Sequence, residues 1–160
     1  MNTTFQMQRV LVVDDDCVIR RSAARQLEEA GYLVSTAANG NEALTRLGLE
    51  AYDAVLSDVR MPVMNGIELL EIARGRFPTL PFVIMTGWVE DYITKAASTW
   101  GAAAVLEKPV LHDELLATLK MAFNERILRA PPWNPALAEN PTADEAGSDS
   151  RVVQEVRTPR

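Results

Sequence analysis

Asp14, Asp15 and Asp16 stand in a row behind a short apolar run at 10–13, and Asp58 follows another at 54–57. Thr86 and Lys108 close two further runs, at 81–85 and 103–106. Packed carboxylates repel: two unit charges about 4 Å apart cost roughly 4 kcal/mol at an effective dielectric near 20. Left uncompensated, one of them takes a raised pKa. A hard divalent cation removes the conflict. Mg²⁺ prefers oxygen ligands, takes one or two protein carboxylates and keeps waters together with a phosphate oxygen. A carboxylate is also a nucleophile toward phosphorus and forms an acyl phosphate. Lys108 would hold phosphoryl oxygens as a point charge, and the Thr86 hydroxyl could donate to another. Phosphoryl transfer asks mainly for positioning and charge neutralisation, and this set of groups offers both.

Those groups act together only if the chain brings them to one place. The runs at 9–13, 32–36, 53–57, 81–85 and 103–106 are short and β-branched or small, as suits strands buried on both faces. Between them lie helical patterns. Ile19, Ala23, Leu27 and Ala30 form a stripe closed by Gly31. Helices are expected over 41–49, entered through Asn39 and Gly40, over 67–74 before Gly75 and Pro78, and over 90–99. A last one spans 112–128, with Leu115, Leu119, Ala122 and Arg126 on one line and Leu116, Phe123 and Ile127 beside it. Five strands alternating with five helices predict an α/β fold with a parallel sheet covered on both faces. Right-handed crossovers leave few ways to wind it. In such sheets ligands bind outside the carboxyl ends of the strands, and every residue singled out above stands at one.

The 160 residues are 48 % hydrophobic and 24 % charged, which suits one domain with a real core. A net charge of −6 disfavours general binding to nucleic acid phosphates or anionic lipid. Cys17 is the single cysteine, which excludes an internal disulfide and a multi-cysteine metal cluster. No apolar stretch approaches the roughly 18 residues of a membrane span, and the polar opening at 1–8 lacks a secretory pattern. A cytoplasmic protein is the expectation. Residues 129–160 hold five of the nine prolines and no helical stripe. They are read as a Pro-rich disordered tail behind a domain at 7–128.

Val10 to Asp16, then Asp58-Val59-Arg60-Met61-Pro62-Val63-Met64-Asn65-Gly66, then Val83 to Gly87, then Lys108-Pro109 together resemble the receiver domain of two-component response regulators. The resemblance runs from about Arg9 to Leu128. It implies a flavodoxin-like, doubly wound five-stranded parallel sheet in the order 2-1-3-4-5 with five helices. It further implies that Asp58 accepts a phosphoryl group from a sensor histidine kinase or a phosphotransfer protein. Asp15 would ligate Mg²⁺ directly and Asp14 would assist, through water. Asp58 and the backbone carbonyl of Arg60 complete the ligand set. Lys108 would neutralise the phosphoryl group, the Lys108-Pro109 bond would be cis, and Thr86 would move to report phosphorylation. Receivers usually carry Tyr or Phe three positions before the lysine, where this chain has Val105. That departure bears on how the Thr86 movement is relayed. Arg60 and Trp88 flank the acceptor and are expected to shield an aspartyl phosphate from water.

Bland readings compete. The run Asp14 to Asp16 could be a helix cap, and Asp16 is expected to cap while staying open as a contributor to the metal site. His112 reads as a surface residue, Cys17 as a small apolar filler, and Trp100 and Val105 as either core or partner surface. Trp133 reads as a loosely docked anchor in the tail. Two other functions are open. Asp14-Asp15-Asp16-Cys17-Val18 also matches the nucleophile loop of haloacid-dehalogenase-like phosphatases, with Asp14 attacking. An adaptor that keeps the fold without phosphorylation is the other. The favoured expectation is a stand-alone, non-enzymatic receiver whose output is contact with a downstream protein, with no direct nucleic acid or membrane binding. The contact face would be helix four, strand five and helix five, which would also serve a phosphorylation-dependent homodimer.

Overall fold

The computed structural model describes residues 7–129. The expected Pro-rich tail from 130 onward, with Trp133, lies outside the described residues, as does the Ile127 side chain. Five strands alternate with five helices: β1 (Arg9–Val13), α1 (Cys17–Glu29), β2 (Leu33–Ala37), α2 (Gly40–Leu49), β3 (Ala54–Asp58), α3 (Gly66–Arg76), β4 (Phe82–Thr86), α4 (Asp91–Thr99), β5 (Ala104–Glu107) and α5 (His112–Arg129). All pairings are parallel, in the order β2-β1-β3-β4-β5. Four of the five strands start one residue later than the sequence pattern predicts and end one later. The ladder, rather than hydrophobicity, sets those ends.

The interior strands are apolar on both faces because helices cover both. One layer gathers Leu11, Val13, Val55, Phe82 and Ile84 with Leu47, Leu69, Leu70 and Ile93 from α2, α3 and α4. The other gathers Val10, Val12, Leu56, Val83 and Met85 with Leu27 from α1 and Leu115 and Leu119 from α5. Alternating residues of one strand therefore serve opposite layers, as a pleat requires. A buried Leu or Ile contributes about 1.5–3 kcal/mol over an exposed one.

Helix starts follow the local chemistry. Asp16 Oδ1 accepts from the amides of Val18 and Ile19 and caps α1. Asn39 caps α2 through Glu42 N. Asn65 and Glu68 form a reciprocal capping box on α3. At the other end of α1, Gly31 sits at φ +92°, a conformation glycine adopts without steric cost. The α1 stripe is narrower than its spacing predicts. Ala23, Ala24 and Leu27 are buried, whereas Ile19 and Ala30 are exposed. Ile19 lies in the first turn of α1, at a rim cavity it shares with Met85 and Lys108, and Ala30 is the C-cap just past the last helical residue. Cys17 is likewise exposed and fills no core gap, because it opens the helix on its solvent side. Val105 is half-buried and packs against the first layer, Trp100 is partly exposed, and His112 is exposed.

Candidate functional site

Because the sheet is wholly parallel, every strand delivers its carboxyl end to the same rim. Backbone bonds beyond the strands hold the rim in register: Asp14 N donates to Ala37 O, Val59 N to Met85 O and Lys108 N to Thr86 O. Lys108 follows β5 directly, and its bond to Pro109 is cis, as the resemblance implies. Gly66 allows α3 to start against the end of β3. A Cβ there would clash with the Asp58 carbonyl oxygen, so no other residue fits without moving the end of β3.

This rim brings together four of the side chains that the sequence singles out. The Lys108 ammonium lies 2.8 Å from Asp14 Oδ2 and 2.9 Å from Asp58 Oδ1. Carboxylate oxygens of Asp14, Asp15 and Asp58 all lie within 4.8 Å of one another. Asp14 is fully buried and Asp58 nearly so, while Asp15 is exposed. Asp14 uses both its oxygens: Oδ1 accepts from Asp16 N at 2.9 Å and Oδ2 from Lys108. Arg20, which sequence reasoning passed over, donates to the Asp14 carbonyl at 2.6 Å. It faces the rim because Asp16 and Arg20 are one turn apart on α1.

Charge does not balance here. Three carboxylates share one ammonium. Burial raises the Asp58 pKa above its usual range; the hydrogen bond and charge of Lys108 oppose this, while Asp14 and Asp15 add to it. For Lys108, burial acts to lower the pKa, but the hydrogen bonds and charges of Asp14 and Asp58 outweigh it and the net shift is upward. Lys108 is thus firmly cationic at neutral pH and still leaves the pocket negative. An all-oxygen donor set of this spacing, with one exposed edge at Asp15, fits a hard divalent cation.

Thr86 and Arg60 point elsewhere. The Thr86 hydroxyl donates to Trp88 O at 2.8 Å and accepts from Trp88 N, closing a small turn in the loop after β4. The Arg60 guanidinium is exposed and lies 3.3 Å from Glu90 Oε1. Trp88 is 68 % exposed and so does not cover the pocket in this state. Asp16 acts as the α1 cap. Glu90 was invisible to spacing arguments, since its partner lies 30 residues away in another loop.

Fold and site together define a doubly wound α/β domain with an acidic, cation-seeking pocket over one lysine. The chain belongs to the response regulator receiver family: the model described as "Response regulator receiver domain" matches residues 10–120. It is 38 % identical over 152 residues to the DNA-binding transcriptional regulator NtrC of Salmonella typhimurium, covering 94 % of this chain and 32 % of that protein. The chain therefore spans about a third of the length of the NtrC regulators it matches. A CheY-like receiver domain protein from Methanospirillum hungatei superimposes with a TM-score of 0.75 at 33 % identity, over 78 % of this chain and all of that one. The response regulator TrrA of Thermotoga maritima, solved in complex with Mg²⁺ and beryllofluoride, gives 0.67 at 33 % identity, over 72 % of this chain and 99 % of that one. The fold is that of the family, and the function is that of a receiver domain in two-component signalling. The phosphatase alternative is not favoured: Asp14, its would-be nucleophile, is buried with both oxygens engaged. Among the described residues no helix is long and apolar enough to cross a membrane.

Proposed function

We propose that Asp58 is the phosphoacceptor of this receiver. One of its carboxylate oxygens attacks the phosphorus of a phosphohistidine on a sensor kinase or phosphotransfer protein. The donor's N–P bond breaks, its electron pair stays on the imidazole, and an acyl phosphate forms. The observation that carries this reading is the Lys108 ammonium set between Asp14 and Asp58, at 2.8 and 2.9 Å. Lys108 opposes the upward push of burial on the Asp58 pKa and stays beside it to hold the incoming phosphoryl oxygens. Asp14, Asp15 and Asp58, with the backbone carbonyl of Arg60, are the residues that would hold Mg²⁺. When bound, that ion supplies charge neutralisation at the phosphoryl oxygens. Thr86, at the end of β4, would exchange its bond to Trp88 O for a phosphoryl oxygen. With Arg60 and Trp88 drawn over the modified aspartate, hydrolysis would slow.

The domain spans 7–128 in this reading, acts in the cytoplasm, and switches contacts with a downstream protein through the face of α4, β5 and α5. A phosphorylation-dependent homodimer on that face belongs to the same reading. The reading is confined to the receiver, whose acidic charge disfavours direct contact with nucleic acid. DNA binding is in the name of the NtrC relatives, which are about three times as long. The adaptor reading has no support in a site with Asp14, Asp15, Asp58, Thr86 and Lys108 all present.

The test is intact-mass and peptide mass spectrometry after incubation with acetyl phosphate and Mg²⁺. One phosphoryl addition is expected, on the peptide carrying Asp58, dependent on Mg²⁺ and lost in Asp58→Ala. Labelling of Asp14, or unchanged labelling in Asp58→Ala, would overturn the reading.

A further inference from the structure

The loop after β4 is held to the rest of the rim by two ties of different kinds. One is the Thr86–Trp88 turn. The other is the ion pair between Arg60, in the loop after β3, and Glu90, at the N-cap position of α4. Glu90 makes no side-chain bond to the amides of α4, so its carboxylate is committed to Arg60. Arg60 in turn stands two residues beyond Asp58. The pair is exposed, with side chains 61 % and 43 % accessible. Water and salt therefore weaken it.

A phosphoryl group on Asp58 changes the competition for the Arg60 guanidinium. It carries roughly −1.5 to −2 charges against the single charge of Glu90. It also presents paired oxygens that match the planar fork of arginine. We propose that Arg60 is an exchangeable latch. It holds Glu90, and with it the start of α4, in the resting chain, and transfers to the phosphoryl oxygens once Asp58 is modified. The inference rests on Asp58 being the acceptor. It provides a route to α4 that does not pass through position 105, where Val105 is packed half-buried against the core and has no polar group to exchange. The freed Glu90 carboxylate then faces the amino end of α4 alone, where a negative charge is favoured. Phosphorylation would free the start of α4 at Glu90 from the loop after β3 while leaving the helix itself intact.

Hydrogen exchange of peptides covering 87–92 reads the latch directly. The full chain would be measured with and without beryllofluoride plus Mg²⁺, for wild type, Glu90→Gln and Arg60→Gln. In wild type the ligand is expected to speed exchange of this segment. In resting Glu90→Gln and Arg60→Gln the segment should already exchange faster, by up to about fivefold, as the worth of an exposed pair allows. Added ligand should then raise it less than in wild type, the remaining rise coming from release of the Thr86–Trp88 turn. Acetyl-phosphate labelling of Asp58 in Glu90→Gln should match wild type, since the Glu90 side chain meets only the Arg60 guanidinium and none of the pocket carboxylates or Lys108. Resting exchange equal to wild type in both variants would overturn the latch while leaving the acceptor assignment standing. Absence of wild-type labelling would instead remove the acceptor assignment and the latch with it.

Discussion

The two ends of the sheet carry comparable numbers of charged groups and use them in opposite ways. At the amino end of the strands, each carboxylate has an arginine of its own. Arg9 pairs with Glu50 at 2.7 Å and Arg126 pairs with Asp53 at 3.0 Å. Tyr52 adds a bond to Glu50, and Asp53 Oδ2 also takes the Arg9 amide. All four charged side chains are between 35 and 45 % exposed. At the carboxyl end, three carboxylates share one lysine, and the Lys108, Asp14 and Asp58 side chains are 17, 1 and 8 % exposed. The amino end is balanced and wet, which suits ties between β1, β3 and α5 worth little individually. The carboxyl end is unbalanced, and dry around Lys108, Asp14 and Asp58, with Asp15 at its open edge. A deficit of positive charge in a low-dielectric site is costly to keep, and in the proposed reading it serves a cation and a phosphoryl group.

The comparison breaks most visibly if one cation is removed at each end. Lys108→Met leaves two buried carboxylates without their cation and should cost about 3–5 kcal/mol. Arg126→Met should cost about 1 kcal/mol or less, as an exposed pair does. Urea unfolding of the two variants side by side measures both. Equal losses would mean that the pocket is no more strained than the opposite pole.

Mg²⁺ should sharpen the contrast next. At a concentration 100 times its Kd, a ligand of the folded state adds about 2.7 kcal/mol, and thermal unfolding at fixed protein concentration reads it as a rise in Tm. Asp58→Asn or Asp15→Asn should cut that rise substantially. Glu50→Gln should leave it unchanged, although it too removes a carboxylate.

A smaller effect is expected from alkali. The folded pKa of Lys108 is raised above 10.5. Its stabilising contribution is therefore fully present below 10.5 and is lost as pH rises through the higher folded value. Unfolding followed from pH 9 to 12 should show a decline in wild type that is shallower in Lys108→Met. An identical decline in both would assign the alkaline loss to other groups. Smallest of all, 1 M NaCl should weaken the Arg9–Glu50 pair, so that Arg9→Ala costs a few tenths of a kcal/mol less in high salt than in low. Lys108→Met should depend on salt far less, being screened by protein rather than by solvent.

Much of the molecule could be read along the chain. The number, type and order of the elements follow from apolar runs and helical stripes, and the cap residues Asp16, Asn39 and Gly31 fall where their chemistry directs, while the Asn65 cap on α3 emerges only in the structure. Strand ends were less legible: the pattern places β3 at 53–57, whereas Asp53 spends its carboxylate on the Arg9 amide and Arg126 and the ladder starts at Ala54. The α1 stripe overreaches for a related reason. Periodicity marks Ile19 and Ala30 as inward, but Ile19 borders an open cavity at the rim and Ala30 is the cap beyond the last helical residue, and both are exposed.

The sequence by itself determined that acidic and basic groups would end parallel strands, because strand alternation with helices forces all carboxyl ends to one side. It also determined which residues those would be. Only the tertiary structure decided how they divide the work: that Lys108 contacts Asp14 and Asp58 together, that Thr86 is turned toward Trp88, and that Arg60 is held by Glu90. These are contacts between residues that separate loops bring into reach, and no local rule of spacing records the distance between loops. Spacing fixes what each strand presents; the register of neighbouring strands and the path of the loops fix what it meets.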